Sequence, residues 1–406
     1  MRSASPRFTL PADGEIRMID IEKVRADTPA CESVLHFNNA GASLMPRPVF
    51  EAVSNHLNLE NALGGYEAER RAADQLVAFY SEFARLLNAT PGEIAYVENA
   101  TRAWDMAFYG LPLKEGDRIL THGSEYASNY LALLQQARRR GLNIDLIPSD
   151  RHGQIDVAAI PGLIADRTRL IAITHVPTQG GLVNPAAEVG KIARQHGLIY
   201  MLDACQSAGQ IALDVQELQC DVLSGTGRKF LRGPRGTGFL YVRKEMIDKI
   251  EPPFVDLLSA TWTENQGFEY AAGAKRFENW ESYVAGRVGL MAAVRYANDI
   301  GLHNIERRVE QLGARLRDQL QGVPGVTVHD LGVRKCGIVT FTKDGTEPQA
   351  LSERLRERGM NISVSALAYA RLDLGQRNIP ALARASVHYF NTDTEIDRFT
   401  EAVKSV

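Results

Sequence analysis

The run GLIYMLDACQSAGQIALDVQELQCDVLSGTGRKFLRGPRGTGFLYV, residues 197–242, decides the fold. It carries three short apolar segments, GLIYMLDAC (197–205), DVLSGTG (221–227) and GTGFLYV (236–242), separated by glycine-rich and polar text. A fourth, RLIAITHV (169–176), lies upstream, and the intervening PAAEVGKIARQHG (185–197) has the spacing of an amphipathic helix. Strands rich in Ile, Leu and Val that alternate with helices predict βα repetition and a largely parallel sheet covered on both faces. This texture runs from about residue 50 to residue 245. After Arg287 it changes: charged helices at 301–321 and 348–359 flank the strand candidates GVTVHD, CGIVTF and ARASVHYF, an α+β pattern. The expectation is an α/β large domain over residues 50–287. Residues 288–406, joined by the N-terminal arm 1–49, should form a smaller domain.

A chain of 406 residues suits two domains, and 45% hydrophobic with 23% charged residues is ordinary for a globular protein. The formal charge of −3 provides no global positive field for nucleic acid or an anionic membrane, so a small-molecule partner is the default. Cys31, Cys205, Cys220 and Cys336 form no CxxC pair, which argues against a zinc site and a disulfide framework. The stretch MRSASPRFTLPADGEIRMID (1–20) has no apolar signal-peptide core, and no apolar run is long enough to span a bilayer. A cytoplasmic location is expected.

Open α/β sheets bind ligands beyond the carboxyl ends of their strands, so chemistry is sought just after each apolar run. GPRGTG (233–238) lacks the GxGxxG spacing, and neither a GxxxxGK[ST] loop nor GxSxG nor HExxH occurs. What does occur is Asp203 at the end of GLIYML, then Gln206, then Lys229 26 residues after the aspartate. An acid that keeps a pyridinium nitrogen protonated and a lysine that forms an aldimine are the two groups pyridoxal phosphate needs. Singly, Asp203 would read as a helix cap and Lys229 as a solvated loop charge.

LDACQ (202–206), SGTGRKFLRGPRGTGFLYV (224–242), FNNAGASLMP (37–46) and RASVHYFNTDTEID (384–397) together resemble the class V aminotransferase family. This is the fold-type I pyridoxal-phosphate branch that includes cysteine desulfurases and selenocysteine lyases. Order and spacing agree along nearly the whole chain. The resemblance implies a mostly parallel seven-stranded sheet with Lys229 as the Schiff-base lysine and proton carrier. It makes Asp203 the pyridinium partner and places Gln206 beside the ring hydroxyl. Thr226 and Arg228, three and one places before the lysine, fall at phosphate-binding positions. Arg228 stands where a histidine is usual, and its permanent charge and fork suit a phosphate. NATRAWDMAFYG (99–110) then reads as a turn into a helix whose Ala100 and Thr101 N–H groups face the same anion.

Tyr126, in SEYASN (124–129), takes the place of a ring-stacking histidine. Thr178, followed by Gln179, stands where relatives often have an asparagine near the ring hydroxyl. Arg384 matches the arginine that forks onto a substrate carboxylate, and Asn39 is expected on the substrate side. In RFENWESYVAG (276–286), Glu281 occupies a position where relatives have a phosphate-binding threonine from the neighbouring subunit. Trp280 is then expected to wall the substrate pocket, together with Tyr369 and Arg371. Sites between subunits imply a homodimer.

A persulfide-forming desulfurase needs a cysteine shortly before the carboxylate-binding arginine, and NISVSALAYARLDLGQRNIPALA (361–383) has none. The nearest, Cys336, lies 48 residues ahead of Arg384 in an apolar strand candidate. Persulfide chemistry is therefore disfavoured. The expectation is a C–S lyase-type β-elimination on an amino acid; transamination and epimerisation are the alternatives, since one lysine serves all three. A cofactor-binding regulator or scaffold is the non-enzyme reading, weakened by the retention of both Lys229 and Arg384.

Overall fold

The computed structural model describes residues 18–406. Residues 1–17, which hold most of the stretch tested for a signal-peptide core and the start of the N-terminal arm, lie outside the described residues. After a two-residue strand β1 (Leu35–His36), seven strands build the principal sheet. They are β2 (Ile94–Val97), β3 (Arg118–His122), β4 (Asn143–Ile147), β5 (Thr168–Thr174), β6 (Ile199–Asp203), β7 (Val222–Thr226) and β8 (Gly238–Val242). Their spatial order is β2-β8-β7-β6-β5-β3-β4. Strands β3 to β7 pair in parallel, and β8 runs antiparallel to both β7 and β2.

Every residue of β7 and β8 is buried, which a sheet achieves only with helices on both faces. The side-chain alternation shows the two layers. Met201, Val222 and Leu240 pack with Trp104 and Phe108 of the helix Ala100–Phe108. Tyr200, Leu202, Leu223 and Phe239 face the other way, towards Phe79, Phe83 and Val189. The near-continuous apolar text of residues 197–242 is thus the signature of strands with no solvent side.

A hairpin of β9 (Ala260–Glu264) and β10 (Gly267–Tyr270) follows the large sheet. The remaining strands are β11 (Val326–Val328), β12 (Ile338–Lys343), β13 (Met360–Asn361), β14 (Ser363–Ala366) and β15 (Ala381–Ser386). Four of them form an antiparallel sheet, β11-β12-β15-β14, while β13 pairs with β1 and ties the N-terminal arm to this part of the chain. Leu312, Leu316, Leu351, Leu355, Phe399 and Val403 from three helices close its core. The expected division at Arg287 falls inside the helix Val284–Ile300, whose Leu290, Met291 and Val294 pack in the core of the large sheet. The helix crosses that position as one body, and the strongly charged text begins only with the next helix, Leu302–Gln321.

Candidate active site

The parallel strands β5, β6 and β7 end side by side, with Asp203 in register with Thr174 and Ser224. Asp203 is buried; its Oδ2 accepts from Asn129 Nδ2 at 2.8 Å and its Oδ1 from the Cys205 N–H at 2.8 Å. Among the described residues no cation pairs with it, although a buried carboxylate without one is costly.

Lys229 lies three residues past β7 on a turn closed by Arg232 N–H to Lys229 O (2.9 Å) and Gly233 N–H to Gly227 O (2.7 Å). The turn forces Arg232 into the left-handed region at φ 62°, a strained state for a side chain with a Cβ. Three hydrogen bonds from its guanidinium hold it there, to Leu44 O, the Tyr389 hydroxyl and Thr28 Oγ1. The Lys229 amine is buried, donates to no acceptor among the described residues, and lies 5.9 Å from the centre of the Tyr126 ring. Burial pushes its pKa down and Arg228 and Arg384 act in the same direction, while Cys205 and Asp203 oppose them.

Three further residues close one side. Gln206 Nε2 donates to Thr178 Oγ1 (3.1 Å) and Ala40 O (3.1 Å). Arg384, on β15, donates from Nη1 to Thr178 Oγ1 (2.6 Å) and Thr178 O (2.9 Å). Burial, followed by the Arg228 guanidinium, lowers Arg384 to about 10. So the small sheet delivers a buried arginine to the strand ends of the large one.

At the other side Thr226 Oγ1 donates to Thr237 O at 3.3 Å. Its register partner Gly238 abuts the start of the helix Ala100–Phe108: a Cβ there would lie 2.8 Å from the Asn99 carbonyl carbon. Only glycine lets β8 pass so close, and this brings Thr226 to the helix end that presents the Ala100 and Thr101 N–H groups. Arg228 donates to Gly41 O, so its fork leans towards the N-terminal arm.

Four expected residues stand apart from this cluster. Asn39 is fully buried, with Nδ2 on Ser386 O (2.7 Å) and Oδ1 accepting from Ser43 (2.7 Å); it anchors the arm to β15 and has no free group for a substrate. Trp280, 55% exposed, lines a surface cleft with Tyr66, Glu67, Leu258, Glu281 and Tyr283, and none of Lys229, Asp203 or Arg384 is in its walls. Its segment is fixed by Glu278, whose buried carboxylate accepts from Tyr80 and from the Tyr96 N–H. Tyr369 is 65% exposed on the turn Leu367–Tyr369, and Arg371 is exposed at the start of the next helix, so neither walls a buried pocket within its own protomer.

Sequence reasoning missed Glu125, Asn129 and Thr174, which surround Asp203. Glu125 and Asn129 are four apart across the start of the helix Ala127–Arg140, a spacing that puts them on one face and was legible in SEYASN.

Several buried polar atoms here have no partner: Gln206 Oε1, both amide atoms of Gln179, and Arg384 Nε. Unpaired groups of this kind are rare in protein interiors, and together with the buried Asp203, hydrogen-bonded but without a cation among the described residues, they fit an anionic ligand bearing a protonated ring nitrogen. Pyridoxal phosphate satisfies each requirement.

A profile of the family described as "Aminotransferase class-V" matches residues 35–399. A probable cysteine desulfurase of Pyrococcus abyssi is 30% identical, covering 95% of this chain and 98% of its own. One from Xylella fastidiosa is 31% identical, covering 95% of each. The apo structure of a cysteine desulfurase from Thermococcus onnurineus superposes with a TM-score of 0.88 at 28% identity, over 96% of this chain and 98% of the other. With its fold, its strand-end Asp203 and Lys229 and a match along most of its length, the chain belongs to the class-V aminotransferase family, and its cofactor is pyridoxal 5′-phosphate.

Proposed function

We propose that this protein cleaves a C–S bond of an S-substituted cysteine-type amino acid by β-elimination, without passing sulfur to a cysteine of its own. The carrying observation is the meeting of Lys229, Asp203 and Arg384 at one set of strand ends while all four thiols are buried. Burial pushes the Cys31 and Cys336 thiols up to about 11, and raises Cys205 and Cys220 strongly as well. Thiols so raised hold almost no thiolate at neutral pH.

Each residue has a definite task. Arg384 takes the substrate carboxylate and Thr178 orients its guanidinium. Lys229 accepts the Cα proton, a role that suits an amine whose pKa burial pushes down. The Cβ–S bond then breaks with its electron pair leaving on sulfur, and that sulfur takes up a proton. Bound pyridoxal phosphate supplies the electron sink for the pair released at Cα. Asp203 holds the ring nitrogen protonated, and Tyr126 covers the ring. Addition of water to the remaining three-carbon fragment gives a thiol, pyruvate and ammonium, which balances the reaction.

The relatives' name, cysteine desulfurase, favours a second reading in which sulfur moves to a protein thiol and alanine is released. A product assay separates the two. With S-substituted cysteines the purified holoenzyme is expected to yield pyruvate and ammonium. Changing each of Cys31, Cys205, Cys220 and Cys336 to Ser is expected to alter turnover by less than about tenfold, as packing changes do. Alanine together with a protein persulfide, lost on removal of one cysteine, would establish the second reading.

We also propose a homodimer in a reducing compartment. Leu257 (74% exposed), Trp262 (72%) and Phe268 (52%) line one apolar surface pocket that a lone protomer leaves in water, and the exposed Trp280, in a separate cleft, would then serve the site of the partner subunit. The four unpaired cysteines suit reducing conditions. No helix among the described residues is long and apolar enough to cross a membrane. In sedimentation the holoenzyme is expected at twice the 44.8 kDa chain mass, with Trp262→Glu shifting it towards one chain; a fully active monomer contradicts the dimer.

A further inference from the structure

Glu125 is a buried carboxylic acid that none of the steps above uses. It follows the end of β3 and precedes the helix Ala127–Arg140. Its Oε1 accepts from the Tyr126 N–H (2.8 Å), from Asn129 Nδ2 (3.0 Å) and from the Thr174 hydroxyl, and its Oε2 from Thr121 Oγ1 (3.4 Å). Asn129 Nδ2 also donates to Asp203 Oδ2 (2.8 Å), so one amide bridges two carboxyl groups. The Tyr126 N–H is shared with Thr174 Oγ1 at 3.2 Å. A single side chain therefore orients both the residue facing the ring nitrogen and the residue covering the ring.

We propose that Glu125 is the positioning residue of the cofactor site: it holds Asn129 on Asp203 and fixes the backbone of Tyr126, and its negative charge adds to that of Asp203 in favouring the protonated form of the bound cofactor. This rests on the cofactor reading of Lys229 and Asp203. Burial pushes the Glu125 carboxyl up to about 7; the Thr174 hydroxyl lowers it and the Asp203 charge raises it. Asp203 on β6 is the charged group acting on it, whereas Thr121 on β3, Thr174 on β5 and Asn129 on the helix are neutral. Above neutrality Glu125 carries its charge and favours the protonated form of the cofactor; below it the charge is lost, and that support with it.

The test is a pH titration of the visible absorbance of the bound cofactor, with no substrate present. In Glu125→Gln the hydrogen-bonding shape is kept and the charge removed, so the midpoint should fall by roughly 1 pH unit. In Glu125→Ala the anchors of Asn129 and Tyr126 go as well, and apoprotein should bind pyridoxal phosphate about tenfold more weakly. Should Glu125→Gln not fold, Thr174→Val carries the test: losing a donor to the carboxylate disfavours its charge, so the midpoint should fall by a smaller amount. A midpoint equal to wild type in the variant that folds overturns the proposal. Lys229→Ala run alongside separates the two levels, because a visible band surviving there sinks the cofactor reading itself.

Discussion

Lys229→Ala is expected to abolish the visible absorbance of bound cofactor and to lower turnover by roughly 10⁴-fold or more. In the proposed mechanism two functions disappear with one amine: the covalent hold on the cofactor aldehyde and the base that takes the Cα proton. No neighbour can replace it. Arg384, lowered only to about 10, stays protonated at neutral pH, the Arg228 guanidinium leans away to Gly41 O, and the Cys205 thiol is buried, with its pKa raised by burial and by the Asp203 charge. Added primary amines should restore a measurable part of the proton transfer, since the cavity left by the side chain has the size of a small amine. The assays are an absorbance spectrum and the rate of pyruvate release; a normal spectrum and rate in this variant would be incompatible with the assignment.

Asp203→Asn should have the second largest effect, of a different kind. The phosphate anchors proposed at Thr226 and at the helix start are untouched, so the variant is expected to bind cofactor in one-to-one stoichiometry. Turnover should nevertheless fall about 10²- to 10³-fold, as when one preorganised charge is removed from an active site. An amide cannot keep the ring nitrogen cationic, and the pair released at Cα loses its sink. Stability should move the other way. Without cofactor, Asp203 is a buried carboxylate with hydrogen bonds and no cation among the described residues, and an isosteric amide relieves the burial of that charge. The cofactor-free Asp203→Asn chain is expected to melt no lower than cofactor-free wild type in scanning calorimetry. A large drop in melting temperature would show that the carboxylate is structural, with its catalytic effect secondary.

The large sheet was legible because burial on both faces leaves an unmistakable composition. Strands β6 to β8 fall within the apolar runs read from residues 197–242, β5 starts one residue before the run 169–176, and the helix Ala186–Gln195 lies within PAAEVGKIARQHG. The helices Leu302–Gln321 and Pro348–Glu357 likewise match their charged, periodic text. Local periodicity and strand-end position also singled out Asp203, Gln206 and Lys229, since a strand in a parallel sheet delivers its next residues to the ligand side.

Other features depend on contacts between distant segments, about which spacing is silent. Asn39 and Arg384 both belong to segments that meet at β15, yet one side chain turns to the Ser386 carbonyl and the other to Thr178; the difference lies in pairing partners 347 and 206 residues away. The helix Val284–Ile300 spans the change of texture read at residue 287, and its allegiance is set by which core receives Leu290, Met291 and Val294. The bridge from Glu125 through Asn129 to Asp203 joins a helix start to a strand end 74 residues on, and only folding makes two carboxyl groups share one amide. Sequence alone determined the layers, the strand ends and the chemical types placed on them, because these follow from local burial and period. Which side chains face the ligand, which anchor the backbone and which are left unpaired was decided by tertiary structure, because hydrogen bonds and desolvation act on groups that are neighbours in space.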